Sequence, residues 1–286
     1  RRNALKYGTN IIIKEINKDG KLFFGGRNMT QEERIEEIKK MLTVKHHLVT
    51  RDLAKHFNVS FDTARRDILR LTSTGQAIRV HGGLMEVNRD NVPNFLARNQ
   101  VDSPIKNKMA EMARRFVHAG QCDFIGPSTT LKQLCNLLNG LDAQIVTNSI
   151  DNSLELMQSE LPNVRLLGGK INKKQRFNYS VTALNILRRI KFNTAFIGTS
   201  SVKEDGVYSN KMSDSELIKT AASRANQVIL IAEKYKFMNH STSPYMSIPL
   251  DKIDVLITDT PLPKDIQKNF AENTQIIPVM KEAHYD

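Results

Sequence analysis

Residues 50–83 constrain the fold of this chain more than any other segment. Leu53 and Phe57 stand four positions apart, so they share one face of a first short helix. Thr50 is suited to cap the start of that helix, because its hydroxyl can accept a hydrogen bond from a free helical N–H group. Asn58 is suited to end the helix, since asparagine tolerates the left-handed conformation found at many helix termini. A tight corner is therefore predicted after Asn58.

A second helix is predicted after the corner, with Ser60 as its cap. Ala64, Ile68 and Leu71 form its inner face, and its outer face is rich in arginine. Two helices joined by such a turn are typical of a helix-turn-helix, although an ordinary amphipathic pair with a solvated charged face is the alternative. Arginine can hydrogen-bond guanine edges or clamp phosphates. The candidate DNA-contacting residues of the two helices are Thr50, Ser60, Phe61, Thr63, Arg65, Arg66 and Arg70.

A small two-stranded wing is predicted next. Residues 76–80 and 84–87 are predicted to be short strands on either side of a His-Gly-Gly turn. This arrangement places Arg79 and His81 at the tip, next to Gly82. A winged helix presses such a tip against the DNA backbone or the minor groove, so these three residues complete the set of candidate DNA contacts.

The whole segment VSFDTARRDILRLTSTGQAIRVHGG resembles the N-terminal signature of the DeoR family of bacterial transcriptional repressors. The resemblance implies a winged helix-turn-helix that binds double-stranded operator DNA. The residues that match the family pattern are Val59, Ser60, Thr63, Arg65, Arg66, Asp67, Leu71, Gly75, Arg79, His81, Gly82 and Gly83.

Composition agrees with an anionic partner. The 286 residues carry a formal net charge of +12 and a pI near 9.7, which in this context favours DNA. Cys122 and Cys135 lack metal-like spacing, which favours a reducing compartment and argues against a zinc site or a disulfide framework. No apolar run approaches the roughly 20 residues that span a bilayer, and there is no secretory signal pattern. We therefore expect a cytoplasmic protein that needs no metal, cofactor or membrane.

Four segments are predicted along the chain. Residues 1–29 form an extension of unclear role, either a hairpin around the turn at residues 18–21 or an unstructured addition. Residues 30–87 form the winged helix-turn-helix domain, whose first helix is capped by Thr30 with Glu33 at the capping-box spacing. Residues 88–104 form a polar linker, in which Phe95 and Arg98 match the segment that connects the two domains in the resembled family. Residues 105–286 form a larger effector-binding and oligomerisation domain.

The larger domain alternates between helical and strand-like runs. Such alternation predicts an α/β fold with a mostly parallel sheet covered on both faces, and ligands of such sheets bind at the carboxyl ends of the strands. The predicted helices are residues 106–118, 130–138, 149–157, 182–190 and 215–224, with one more after Pro263. The predicted strands are residues 122–125, 143–146, 164–167, 194–197, 228–231, 255–257 and 276–279.

Small polar residues follow the first three of these strands. Three such loops, each expected to precede or open a helix at one sheet edge, predict an anion site suited to phosphate, although each loop could also serve only as a helix cap. The loop residues are Ser128, Thr129, Thr130, Thr147, Asn148, Ser149, Gly168, Gly169 and Lys170.

The same region is similar to the C-terminal effector domain of the DeoR family, which resembles ribose-5-phosphate isomerase and commonly senses phosphorylated sugars. The resemblance adds Glu216, Lys219 and Lys236 to the candidate ligand-binding residues. Gly126 stands where the family usually has aspartate, so a carboxylate that could accept sugar hydroxyls is missing. The matching pieces are STT, TNS, LLGG, AFIG, EDGVY, IAEKYKF and LITD.

These observations predict a sequence-specific transcription regulator, a repressor of a carbohydrate-metabolism operon that acts as a homodimer or homotetramer and responds to a phosphorylated sugar. An isomerase-like enzyme is one alternative, but residues 199–201 after the AFIG strand offer no acidic group to move a carbon-bound proton. We expect no catalytic residues. A DNA-binding scaffold without a ligand is the other alternative.

Overall fold

The structure is a computed structural model that describes residues 14–16, 22–24, 29–73, 77–80, 82–86, 95, 99, 103–238 and 243–280. In the N-terminal extension, β1 (Lys14–Ile16) and β2 (Leu22–Phe24) pair antiparallel. The proposed turn at residues 18–21 lies outside the described residues, as do Gly75, His81 and Arg98.

The described residues between 29 and 86 form a helical unit with a small three-stranded antiparallel sheet. Its core contains Leu53, Ala64, Ile68 and Leu71, the inner faces that the spacing predicts. The capping box at Thr30 is also confirmed, since its hydroxyl accepts from the Glu33 N–H group. The elements are α1 (Gln31–Lys45), β3 (His47–Val49), α2 (Thr50–His56), α3 (Phe61–Ser73), β4 (Ala77–Val80) and β5 (Gly83–Glu86).

The corner between α2 and α3 differs from the sequence prediction in one detail. Asn58 has a φ of 50°, the left-handed conformation expected of it. Thr50, however, is the first residue of α2 and not its cap, because Val49 occupies the cap position without a side-chain hydrogen bond. The Thr50 hydroxyl donates instead to the Gly82 carbonyl at 2.8 Å, so it holds the wing turn.

The described part of the linker is attached to the C-terminal unit at Phe95. This side chain is 1% exposed, and its backbone N–H donates to the Lys174 carbonyl at 2.9 Å. The linker is therefore anchored at this point by a buried aromatic ring and a backbone hydrogen bond.

The C-terminal unit is built on a seven-stranded sheet in which all strand pairings are parallel. The predicted strands are confirmed to within a few residues at each end. The strands are β6 (Cys122–Ile125), β7 (Gln144–Thr147), β8 (Asn163–Leu166), β11 (Phe192–Ile197), β14 (Ala225–Ile231), β16 (Val255–Thr258) and β17 (Gln275–Pro278).

Helices cover this sheet on both sides. Successive strand residues belong to two separate apolar clusters: Ala195 and Ile197 pack in one, and Phe196 between them packs in the other. The predicted helices are confirmed in place, with shifted ends. They are α4 (Pro104–Arg114), α5 (Thr129–Asn136), α6 (Ile150–Leu156), α7 (Val181–Arg188), α8 (Met212–Ser223) and α10 (Lys264–Gln267). The short helix α9 (Tyr235–Met238) is absent from the sequence prediction.

Two small antiparallel elements are absent from the sequence prediction. One is a hairpin of β9 (Lys170–Asn172) and β10 (Phe177–Tyr179), and the other is a three-stranded sheet of β12 (Ser201–Val202), β13 (Gly206–Ser209) and β15 (Tyr245–Pro249). The prediction that Gly168–Lys170 precedes or opens a helix is wrong, because the chain enters the hairpin there and α7 begins only at Val181.

The connections of the parallel sheet define where a ligand can bind. From β6 the chain moves through β7 to β8 at one edge, and it then returns to β11 and continues through β14 and β16 to β17 at the other. The direction reverses between the neighbours β6 and β11, and the carboxyl ends of strands at such a point leave a crevice. Among the described residues, no helix combines the length and apolar character that a membrane crossing requires.

Candidate functional site

The outer face of α3 is the candidate DNA-binding surface. Arg65 and Arg66 are exposed on it, together with Phe61 at the first position of the helix. The Thr63 N–H donates to the Ser60 hydroxyl at 3.1 Å, which caps the helix and fixes its start. The structure thus brings these predicted residues onto one end of one helix.

A buried ion pair sets the orientation of α3. The Arg34 Nε lies 2.7 Å from the Asp67 Oδ2, its Nη2 donates to Oδ1 at 3.2 Å, and Asp67 is 1% exposed. The hydrogen bond to Asp67 raises the pKa of Arg34 above its ordinary value. Asp67 therefore joins α3 to α1, and sequence reasoning missed its partner because the two residues lie 33 positions apart.

Arg70 occupies a different environment from Arg65 and Arg66. Its Nη1 donates to the Glu32 Oε1 at 2.9 Å and to the Gln31 Oε1 at 3.1 Å, and this contact lowers the pKa of Glu32. Arg70 is held against the start of α1, so a DNA contact would require it to give up or share this ion pair.

The wing depends on close backbone approach. Gly82 has a φ of +76°, and its carbonyl accepts both the backbone N–H and the hydroxyl of Thr50. Gly83 has no room for a side chain, because a Cβ there would lie 1.9 Å from the Leu48 carbonyl oxygen. Arg79 is exposed on β4, while His81 is outside the described residues.

The candidate effector site is a cleft of about 340 Å³ at the carboxyl ends of β6, β11 and β14, the crevice that the sheet topology defines. The loops after these strands supply its floor, and the β9–β10 loop and the start of α8 supply two walls. Its lining includes Lys106, Ser128, Thr129, Thr130, Asn172, Lys174, Gln175, Phe177, Gly198, Thr199, Lys211, Asp214, Ile218, Ile231, Glu233 and Lys236.

The start of α5 is one polar end of this cleft. The Ser128 hydroxyl accepts from the N–H groups of Thr130 and Leu131, while Thr129 and Thr130 are buried. Gly198 permits the loops after β6 and β11 to touch, since a Cβ there would lie 2.7 Å from the Ser128 Cβ. The positive end of the α5 dipole therefore lies in the lining of the cleft.

Positive charge dominates the lining. The lining contains four lysines (Lys106, Lys174, Lys211 and Lys236) and two carboxyl groups, those of Asp214 and Glu233. Of these groups, Lys236 and Asp214 differ most from ordinary surface charges. Lys236 is only 8% exposed, with its Nζ 4.7 Å from the Tyr235 ring centre. Burial raises the pKa of Asp214 to about 6, and its Oδ1 has no hydrogen-bond partner among the described residues.

Four of the predicted ligand residues line the cleft: Ser128, Thr129, Thr130 and Lys236. The second loop lies elsewhere, because its side chains join neighbouring segments. The Thr147 hydroxyl donates to the Ile125 carbonyl at 2.6 Å, Asn148 Nδ2 donates to the Asn178 carbonyl, and Ser149 caps α6. The remaining predicted residues are outside the lining as well: Gly168, Gly169, Lys170, Glu216 and Lys219.

Glu216 and Lys219 lie on the exposed side of α8. The Tyr179 hydroxyl donates to the Glu216 Oε2 at 2.7 Å, which ties the β9–β10 hairpin to that helix. Residues that sequence reasoning missed, among them Lys174 and Asp214, reach the cleft from segments with no strong pattern. No cluster of His, Cys, Asp or Glu able to hold a metal ion occurs in the part of the chain that the structure describes.

A winged helix-turn-helix joined to a parallel α/β domain with a polar cleft defines the class of DNA-binding regulators that carry a sensor domain. Comparison with known families agrees: the profile of the DeoR-like helix-turn-helix domain matches residues 34–89, and that of the DeoR C-terminal sensor domain matches residues 102–260. The chain belongs to the DeoR family of transcriptional regulators.

This chain matches several transcriptional regulators along most of their length. The HTH-type transcriptional repressor GlcR of Bacillus subtilis is 32% identical over 81% of this chain and 89% of its own. The lactose phosphotransferase system repressor of Streptococcus mutans is 28% identical over 87% of this chain and 100% of its own. The L-fucose operon activator of Haemophilus influenzae is 23% identical over 80% of this chain and 92% of its own. The chain is accordingly a regulator and not an enzyme.

Solved structures give weaker likenesses. Ribose 5-phosphate isomerase A of Methanocaldococcus jannaschii matches 46% of this chain and 53% of its own at 18% identity, with a TM-score of 0.34. The translation initiation factor eIF-2B of Pyrococcus horikoshii matches 79% of this chain and 76% of its own at 14% identity, with a TM-score of 0.43. The isomerase match thus spans about half of that enzyme, and neither likeness bears on activity.

Proposed function

We propose that the chain is a cytoplasmic, sequence-specific repressor of a carbohydrate-metabolism operon, and that a phosphorylated sugar in the cleft changes its affinity for operator DNA. One observation carries the proposal: the chain combines α3, a helix with exposed arginines, with a lysine-rich cleft where the strand order of the sheet reverses between β6 and β11. The role of repressor follows the relatives that are named as repressors of sugar systems.

In this proposal, residues 30–87 bind DNA. Arg65 and Arg66 contact bases or phosphates in the major groove, and the wing with Arg79 contacts the backbone. The net charge of +12 supports electrostatic attraction to the duplex. Residues 88–104 act as the linker, and residues 105–286 bind the effector and form a homodimer or homotetramer, because paired subunits present two recognition helices to two half-sites.

Phosphate is the anion that best fits the cleft. The α5 N-terminus supplies a partial positive charge, and Lys236 supplies a full charge in a buried position. Phe177, Ile218 and Ile231 give the same cleft an apolar wall, while the carboxyl groups of Asp214 and Glu233 offer acceptors for hydroxyl groups. A small molecule with a phosphate and several hydroxyls matches this combination.

The proposal is tested by effector release of bound DNA. The DNA upstream of the protein's own operon is labelled, and fluorescence anisotropy is followed at fixed salt while ribose 5-phosphate, glucose 6-phosphate or inorganic phosphate is added. We expect at least one sugar phosphate to change the Kd for DNA by about 5-fold or more, the range of ordinary allosteric coupling. Lys236→Gln should abolish that response, and Lys219→Gln, on an exposed lysine outside the lining, should retain it.

A second candidate is a DNA-binding scaffold that takes no ligand. The observation in its favour is Gly126, which stands where the resembled family usually has an aspartate in the first cleft loop. Specific DNA binding that no sugar phosphate alters, together with no thermal shift by any of them, would support the scaffold over a sensor.

A further inference from the structure

The outer face of α3 carries an apolar group that the fold does not use. Phe61 is 54% exposed and is absent from the apolar cluster that holds α1, α2 and α3 together. Its neighbours on the exposed face are charged, namely Asp62, Arg65 and Arg66. The exposed part of the phenyl ring, about half of it, gives no stability to the free protein, because that apolar area stays in water.

The position of Phe61 points to the DNA. It is the first residue of α3, and the N-terminal residues of a recognition helix are those that meet base edges in the major groove. Arg65 follows four positions later, so both side chains lie on the same face. The hydrogen bond from the Thr63 N–H to the Ser60 hydroxyl fixes the backbone at this end of the helix.

The ion pairs of α3 leave this end open. Asp67 is directed to Arg34, and Arg70 is directed to Glu32, so these two polar groups of the helix are engaged with α1. Phe61 and Arg65 belong to neither contact. The surface that remains for DNA therefore combines one aromatic ring with guanidinium groups.

The major groove offers few apolar partners. Among the base-pair edges there, the C5-methyl group of thymine is the apolar feature, and phenylalanine is one of the side chains that contact it. We infer that Phe61 is a specificity-determining residue that packs on a thymine methyl group in each operator half-site, next to the base or phosphate held by Arg65. This inference rests on the proposed sequence-specific binding to DNA and adds the base that one residue selects.

The test removes the methyl group and nothing else. The full-length chain first selects duplexes from a random library, and each thymine of the selected site is then replaced singly by deoxyuridine. Wild-type affinity should fall about 4-fold at one thymine per half-site, the value expected for one buried carbon group, and should be unchanged at the others. Phe61→Ala should bind the thymine and deoxyuridine duplexes equally at that position. Salt is held constant throughout, because phosphate contacts respond to it.

Leu69→Ala is the matched control. Leu69 is 40% exposed on the same helix but lies eight positions towards its C-terminus, so its removal should leave the preference for thymine intact. The inference is overturned if deoxyuridine weakens the wild type at no position, or if Phe61→Ala keeps the full preference. A Phe61→Ala variant that changes only the self-association of the protein also overturns it, since the ring would then face another copy. Failure of the wild type to enrich any sequence contradicts the proposed function as well.

Discussion

At the scale of single residues, Asp123 is the clearest case of a buried carboxyl group whose ionisation destabilises the folded state. Its side chain is completely buried in β6, the Thr194 N–H donates to Oδ1 at 2.9 Å, and Oδ2 has no partner among the described residues. Burial raises the pKa of this carboxyl from 3.8 to about 6. Between these two values the folded state retains a proton that the unfolded state has lost, so the contribution of Asp123 to stability falls as the pH rises.

Asp123→Asn should remove this pH dependence. The asparagine Oδ1 can still accept from Thr194, but the side chain no longer has to ionise inside the sheet. From pH 4.5 to pH 7.5 the free energy of unfolding of the wild type should fall, relative to the variant, by about 2 kcal/mol. Urea unfolding at the two pH values measures the change. Parallel pH profiles for the two proteins would mean that water or a local rearrangement solvates the carboxylate.

At the scale of elements, the contact between α1 and α3 combines apolar packing with two ion pairs, of which the pair between Arg34 and Asp67 is buried. Gln31 also donates to the Asp67 Oδ1, at 3.0 Å, so the buried carboxylate is surrounded by donors from α1. Removing one partner of a buried pair leaves the other charge uncompensated, which typically costs about 3–5 kcal/mol. The orientation of the recognition helix should therefore be sensitive to Asp67.

Asp67→Asn should lower the stability of the N-terminal unit by about 3 kcal/mol and weaken DNA binding through loss of helix orientation. Glu36→Gln is the control, because Glu36 is exposed on α1 and its ion pair with Lys39 lies within that helix. Urea unfolding followed by a probe placed in the N-terminal unit separates this effect from the C-terminal sheet. A loss below about 1 kcal/mol, within the range of a surface pair, would show that the pair is well solvated.

The elements also show how far sequence reasoning reaches. The inner face of α3, the left-handed Asn58 and the strand Cys122–Ile125 could be predicted because local spacing and residue type determine them. The β9–β10 hairpin could not, since its two strands have three residues each and alternate little. That hairpin supplies a wall of the cleft, so its lining residues Asn172, Lys174, Gln175 and Phe177 are missing from the predicted ligand set.

Contacts between residues that lie far apart in the sequence set a second limit on what can be predicted from it. Arg70 belongs by type to the DNA-binding face, yet its partner Glu32 lies 38 positions away, and only the packing of α1 on α3 brings them together. Thr147 likewise has the residue type of a ligand contact, but β7 lies beside β6 and its hydroxyl meets a strand carbonyl. The residue types indicated polar contacts, and the tertiary structure decided the partners.

At the scale of the whole molecule, the linker and the cleft share one structural element. The loop between β9 and β10 lines the cleft with Lys174 and Gln175, and the Lys174 carbonyl accepts the backbone N–H of Phe95. A ligand that moves this loop would also move the anchored end of the linker. Effector binding and the placement of the DNA-binding unit would then be coupled, and such coupling is reciprocal in free energy.

Phe95→Ala should therefore weaken regulation more than DNA binding itself. Loss of the buried ring removes one of the two anchors of the linker and leaves the backbone hydrogen bond to the Lys174 carbonyl, while the recognition helix and the cleft lining keep their residues. We expect the Kd for the operator without effector to change by less than about 3-fold, and the effector-induced change of about 5-fold or more to shrink towards 1, with little loss of effector binding. Anisotropy with labelled operator and calorimetry with the sugar phosphate measure the two quantities separately.

Phe116→Ala, in a half-buried phenylalanine outside the cleft lining, should retain the full response. If Phe95→Ala retains it too, the coupling passes through subunit contacts, and the contact between Phe95 and Lys174 serves only to dock the linker.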